Sequence, residues 1–354
     1  MSDMNRTQII EAITANTTLQ GLNLSGADLS GADLTGGRFH QCDMTGVNLS
    51  GANVIKTGFK ECDLSKACFD GTDLTTVDLR GMKMVGASLK NAKMHKTLLS
   101  DVDLSGADLT GADISWSLVM KANLTGADMR KMRIYKSFMT GAVLDDVNFA
   151  GAEIERVSFD KASLQGTKLR GASLLKAILS KADLSGQDLS GMKFNQVLFE
   201  SADLSGADLS GSDLTYSNFR MANFEGANLT GCTARHCMMQ GVNLKNAKLM
   251  RSDLTSSVLM ESDVTLADFS EATAVQALFK NAVCQATKFT GTQLQYADFS
   301  HADLTHTDFS RSSMYMATIH GAVQKDTKWD GANLMLLRHT DKGLEEAESW
   351  TPAS

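Results

Sequence analysis

The sequence predicts an all-β solenoid, and three observations lead there. Large apolar residues recur with a period of five, which is neither the 3.6 of a helix nor the 2.0 of a strand. From Leu19 to Leu334 the apolar centre of each pentad falls on a residue number ending in 4 or 9, giving 64 pentads without an insertion or deletion. Of the 29 glycines, 26 lie two residues after a centre, and the one proline, Pro352, lies at the far end. Glycine in that place marks a turn with positive φ. A backbone that uses all its amide hydrogens excludes proline.

Residues 1–16 stand outside the period and read as an N-terminal capping helix. Asn5 and Gln8 form a capping box, Met4 and Ile9 a hydrophobic staple, and Ile9, Ile10 and Ile13 an apolar stripe to lay over the first coil. Residues 17–335 carry the repeat, as in "LSGADLSGADLTG" near the start and "ADLSGADLSGSDLT" after residue 201. Centres are Leu, Phe, Met, Ile or Val in all but a handful of pentads; Ala234, Ala274, Cys284 and Gln324 are weak and Trp329 is oversized. Two residues earlier the chain prefers a small side chain, with Met82, Met132, Met192 and Gln187 as exceptions. Each pentad therefore turns one large and one small side chain inward and three positions outward. Residues 336–354 form a C-terminal cap or tail, where Leu344, Ala347 and Trp350 outline a short amphipathic helix that closes the end.

The pentad Ala-(Asp/Asn)-Leu-(Ser/Thr)-Gly resembles the pentapeptide-repeat family over more than nine-tenths of the chain. The resemblance implies a right-handed quadrilateral β-helix of four pentads per coil, here about 16 coils. In some members the C-terminal end is a dimer contact instead of a plain cap. A 20-residue coil also has support in the sequence itself. Phe39, Phe59, Phe159, Phe199, Phe219, Phe279 and Phe299 then share one face, and Phe69, Phe149, Phe269, Phe289 and Phe309 the opposite one. Only Phe194 and Phe224 fall on the other two. At about 4.8 Å per coil the rod would be roughly 75–80 Å long. A solenoid of this kind grows without dividing into domains, and a lone coil cannot fold.

Composition narrows the function classes. With 41 acidic and 34 basic side chains the net charge is −7, so no strong basic field is present to hold nucleic acid. No basic segment followed by an apolar one opens the chain, and no run of about 18 apolar residues occurs. The expectation is a cytoplasmic protein without a membrane partner, or one exported by a signal-independent machine. Six cysteines fall in neither metal-ligand nor redox spacings. Cys42 and Cys62 stack on successive coils, but parallel side chains about 4.8 Å apart fit a disulfide poorly, so both read as reduced core residues.

A search for chemistry finds no catalytic, cofactor-binding or metal set. His301 and His320 fall on neighbouring coils, yet no carboxylate and cysteine group completes a metal site, so the histidines read as solvated surface residues. Aspartates just before the centres suit hydrogen bonds to their own turns. No serine–histidine–aspartate constellation, phosphate loop or dinucleotide fingerprint occurs. A filled core leaves no cleft. The protein reads as a non-enzyme that takes no cofactor.

One departure from the repeat stands out. The residue before the centre points outward and is normally polar. On one face it turns apolar in eight coils: Leu98, Leu118, Phe138, Ile178, Leu198, Met238, Val258 and Leu278. The same position on the other three faces holds only Val143, Val283, Val323 and Cys68. The adjoining corner gathers Trp116, Tyr135, Leu175, Tyr216, Val275, Tyr296, Tyr315 and Met316, with Lys96, Lys136, Arg156 and Lys176 along the same edge. Exposed apolar surface with Tyr, Trp and Met is the composition of an interface, here a ridge about 40–45 Å long. The alternative is that stacked apolar residues merely reinforce one sheet.

The functional expectation is a scaffold that docks a protein partner, or its own copy, along the ridge. Resemblance to the family allows a bacterial secretion-system accessory or effector. It also brings in the quinolone-resistance members, which imitate DNA and bind gyrase or topoisomerase IV. Against that second role, this chain is much longer, lacks loop insertions, and interrupts its acidic columns with Lys168, Lys248, Lys288 and Lys328.

Overall fold

A computed structural model describes residues 3–350 of the chain. It opens with helix α1 (Arg6–Thr14). The Asn5 side chain accepts from the Gln8 amide at 3.0 Å, and the Asn5 amide donates to the Gln8 side chain at 2.9 Å, closing the expected capping box. Ile9 is fully buried. A methyl group on Gly37 would stand 3.0 Å from the Leu34 carbonyl and 3.2 Å from Ile13 Cδ1, so glycine is what lets the helix settle on the first coils.

From there the backbone is a β-solenoid in two compact units, Met1–Ala182 and Asp183–Ser354. In the first unit, β1 (Thr18–Gln20), β2 (Arg38–His40) and β3 (Gly58–Lys60) pair in parallel, aligning Leu19, Phe39 and Phe59. A second parallel ladder runs through β4 (Lys93–His95), β5 (Asp113–Ser115), β6 (Arg133–Tyr135), β7 (Glu153–Glu155) and β8 (Ser173–Leu175). The second unit has β9 (Lys193–Asn195) and is otherwise laddered by single bridges, such as Asp203 with Asn223 and Thr318 with Arg338. Each of these pairings joins residues 20 apart, which establishes the coil length.

Corners follow from backbone geometry. Every residue whose number ends in 1 or 6, from Asn16 to Leu336, has positive φ whether or not it is glycine. That makes four left-handed turns in each 20 residues, and hence four sides. The amide at such a corner donates to the next coil, as from Gly106 to the Thr125 carbonyl at 2.8 Å. Aspartates before the centres behave as expected. Asp33 accepts from the Thr35 amide at 3.1 Å and Asp203 from the Ser205 amide at 2.9 Å.

The interior is filled by the centres. Phe279 and Phe299 stack at 4.7 Å, and Phe289 and Phe309 at 5.1 Å. The two columns meet edge to face, with Phe279 and Phe289 at 5.5 Å. The small position tolerates Met132 and Met192, both buried. Cys42 and Cys62 are buried free thiols, and burial pushes Cys62 up to about 12.

The C-terminal end departs from expectation. Laddering continues to Arg338, and helix α2 (Lys342–Ser349) follows, capped by the Asp341 carboxylate on the Gly343 and Leu344 amides. Its apolar residues do not close the solenoid: no α2 residue is buried, and Leu344 and Trp350 are exposed. The helix is held through a polar contact on the side of the last coils. No helix among the described residues is long and apolar enough to cross a membrane.

Candidate docking surface

The left-handed corner explains how the candidate surface is presented. A residue with positive φ juts from the bend between two flat sides, and the residue two positions later stands on the side that follows. In the first unit one corner carries Lys96, Trp116, Lys136, Arg156 and Lys176 on five successive coils, all with φ between 48° and 57°. Beside it stands the apolar column Leu98, Leu118, Phe138, Ser158, Ile178, whose consecutive members form bridges. Phe138 and Trp116 are about half exposed, at 53% and 48%. Leu98, Leu118, Tyr135, Leu175 and Ile178 are half-buried by their neighbours.

Trp116 and Tyr135 pack edge to face at 6.1 Å. The Lys136 ammonium sits 4.2 Å from the Trp116 ring centre and 5.1 Å from that of Tyr135. Cation–π contacts at such exposed places are worth about 0.5–1 kcal/mol, enough to hold the lysine upright. Arg133 lies over Tyr135 at 5.4 Å and reaches Asp113 at 3.5 Å. Around them a shallow groove of about 300 Å³ is lined by Lys93, His95, Asp113, Trp116, Arg133 and Tyr135 among others.

The second unit has a column of its own at the same repeat position. Leu198, Met238 and, at the corner, Tyr216 and Tyr296 are exposed, while Val258, Val275, Leu278 and Tyr315 are half-buried. Tyr216 stacks on His236 at 4.9 Å, and Tyr296 meets Tyr315 edge to face at 5.8 Å. Asn218 and Asp298 interrupt the apolar run. The structure also exposes apolar residues that sequence reasoning passed over: Ile55, Met120, Met221 and Leu266. Ile55 occupies the same corner as Tyr135, 80 residues away, and the 20-residue spacing was enough to find it.

Glycine gives the sharper signal. The 17 left-handed positions spaced 20 apart from Asn16 to Leu336, Trp116 and Tyr216 among them, include one glycine, Gly36, against 25 among the other 48 left-handed positions. An L-residue held left-handed costs about 1–2 kcal/mol, so the side chains kept at this corner are kept against backbone preference.

The histidines need correction. His320 is only 4% exposed, and with His301 and Glu348 it forms a cluster whose ligand-type atoms all lie within 4.8 Å of one another. Sequence reasoning missed it because Glu348 arrives on α2, outside the repeat. Both Nε2 atoms meet the same Glu348 oxygen, at 3.1 Å from His301 and 3.2 Å from His320. Hydrogen bonding from His320 holds the Glu348 carboxyl below its ordinary range. The make-up is that of a metal site, but the Asp341 amide donates to His320 Nδ1 at 3.1 Å. That leaves the His320 proton on Nε2, facing Glu348. A metal-bound histidine normally donates from its second nitrogen, and here a donor already stands opposite it. The cluster is a hydrogen-bonded clasp for α2.

Comparison with known proteins agrees with this geometry. The family model for pentapeptide repeats matches in overlapping blocks from residues 2–41 to 287–323, covering well over half of the sequence. The chain belongs to the pentapeptide-repeat family. Among solved structures it is similar to HetL of the cyanobacterium Nostoc, described as involved in heterocyst differentiation regulation, at 23% identity over 94% of this chain and 98% of that one, with a TM-score of 0.13. It is also similar to QnrB1, a plasmid-mediated fluoroquinolone resistance protein, at 21% identity over 61% of this chain and 99% of that one, with a TM-score of 0.18. A pentapeptide repeat protein of the Arabidopsis thaliana thylakoid lumen matches at 25% identity over 35% of this chain and 66% of that one, TM-score 0.13. At such scores none of these likenesses bears on function. No curated protein matches the sequence.

Proposed function

We propose that this pentapeptide-repeat protein is a non-enzymatic scaffold that docks a protein partner through its outward apolar and aromatic columns. The observation that carries the reading is the exposed Trp116–Phe138 surface, maintained at a corner where glycine would be easier. Aromatic anchors in a partly desolvated setting supply most of the energy at protein interfaces. Stacked phenylalanines fill the core where Phe279, Phe289 and Phe299 meet, which supports binding over catalysis.

The DNA-imitating role is less well supported. Carboxylates that would have to stand as phosphate substitutes are partly neutralised by bases from neighbouring coils, with Lys83 on Asp63 at 2.8 Å and Lys245 on Asp263 at 3.0 Å. Replacing Leu118, Phe138, Leu198 and Leu278 together with Asp tests the scaffold. Partners captured by the wild-type chain should be lost from the variant, and an unchanged set would sink the columns as docking sites. Inhibition of gyrase supercoiling at stoichiometric protein would instead favour the DNA-imitating role.

A further inference from the structure

The basic corner of the first unit narrows the kind of partner. Although the chain is acidic overall, residues 121–181 carry 11 basic against six acidic side chains. Along the corner, Arg156 is engaged by Glu155 at 3.6 Å, whereas Lys96, Lys136 and Lys176 have no carboxylate within ion-pair distance among the described residues. Three lysines without carboxylate partners, Lys136 among them resting on the Trp116 and Tyr135 rings, thus stand in file with Trp116, next to the apolar file of Leu98, Leu118, Phe138 and Ile178. A complementary surface has acidic side chains in one row and apolar ones in the adjacent row.

Spacing decides which element can supply both rows. Coils recur at about 4.8 Å, the interstrand distance. A helix lying along the corner presents one residue per face every turn, about 5.4 Å. Over the four steps from Lys96 to Lys176 it drifts by only about 2–3 Å, within the reach of lysine side chains. A strand presents same-face residues every ~6.6 Å and falls more than a whole coil out of step over the same distance. The four steps span about 19 Å, or about 13 residues of helix.

We infer that the first unit binds an amphipathic α-helix of a partner protein, with an apolar stripe seated on the Leu118–Phe138 column and Asp or Glu residues flanking it against Lys96, Lys136 and Lys176. This rests on the docking reading above and adds the partner's chemistry. Ion pairs of this exposed kind weaken with salt, so binding should fall as ionic strength rises.

Selection from a displayed library of random sixteen-residue peptides, against the full-length chain, tests it without presuming a sequence. Peptides recovered on the wild-type chain should show apolar residues at helical spacing with flanking Asp or Glu. Resynthesised, they should bind about tenfold or more weakly to the Lys96→Glu/Lys136→Glu/Lys176→Glu variant, with Lys136→Glu alone as a milder second variant. Both variants are checked for folding by circular dichroism. Recovered peptides that are apolar but not acidic, and that depend on Phe138 but not on the lysines, would overturn this inference and leave the docking reading standing. Peptides indifferent to a Phe138→Asp change as well would remove both. Retention of a twenty-base single-stranded DNA through the same lysines, with no acidic peptide recovered, would also overturn it.

Discussion

Replacing Lys96 and Lys176 with glycine should stabilise the protein while weakening the proposed docking surface. Both residues are exposed at φ 53°, and neither is in an ion pair among the described residues. Relief of left-handed strain is worth about 1–2 kcal/mol per residue. Glycine's greater freedom in the unfolded chain takes back about 0.4–1 kcal/mol. The net gain is about 0.5–1 kcal/mol per site, or about 1–2 kcal/mol for the pair. With an unfolding entropy near 2.1 cal/mol/K per residue, a chain of 354 residues has roughly 0.74 kcal/mol/K, so Tm should rise by ~1–3 °C. Differential scanning calorimetry resolves that shift. Gly206→Ala is the mirror experiment, since Gly206 has φ 63° and nothing within 4 Å of an added Cβ. It should lower Tm by about half as much, ~1 °C for one site, because the left-handed strain outweighs the unfolded-chain entropy that alanine removes. A fall in Tm for the double glycine variant, or a rise for Gly206→Ala, would refute the idea that this corner keeps its side chains at a cost.

Other perturbations probe the core, the cap and the clasp. Phe279→Ala removes a ring stacked on Phe299 and edge-on to Phe289; a loss of about 3–5 kcal/mol is expected, read as faster amide exchange concentrated in the second unit. Gly37→Ala should loosen α1 by pressing on Ile13 and the Leu34 carbonyl, and exchange of the α1 amides would show it. Glu348 has its folded-state pKa depressed chiefly by the His320 hydrogen bond, so the clasp is intact above the ordinary glutamate range and is lost as pH falls through the depressed value. Protection factors of α2 amides should therefore drop in acid, and in Glu348→Gln at neutral pH. Because the Asp341 amide faces His320 Nδ1, added Zn²⁺ should leave Tm unchanged; a rise abolished by His301→Ala would show that the clasp opens to take metal.

The winding was legible because the repeat encodes it locally. A centre such as Leu104, a small residue such as Ala107 and a left-handed Gly106 decide one side of the square without reference to the rest of the chain. The capping box of α1 was legible for the same reason, since Asn5 and Gln8 are three residues apart. Helix α2 was predicted in place but not in role. Its threefold apolar spacing pointed to a lid, whereas its docking is decided by Glu348 meeting two histidines that lie 28 and 47 residues away in sequence. No local pattern carries that pairing. Likewise Lys136 between Trp116 and Tyr135 could be placed on an edge from numbering alone, but its seat on the two rings required side-chain directions.

In a chain whose every pentad already satisfies the fold, the repeat itself says nothing about what is bound. Information about binding resides in departures from it, and departures differ in what they cost. A polar residue exchanged for another on a flat side, as Asp28 against Asn48, costs the backbone little. Lys96, Trp116, Lys136, Arg156 and Lys176 each hold a left-handed bend that glycine holds freely, on five coils in succession. Side chains at this one corner, while the opposite corner has Gly106, Gly126 and Gly166 on the same stretch of coils, are what supports reading it as a contact surface.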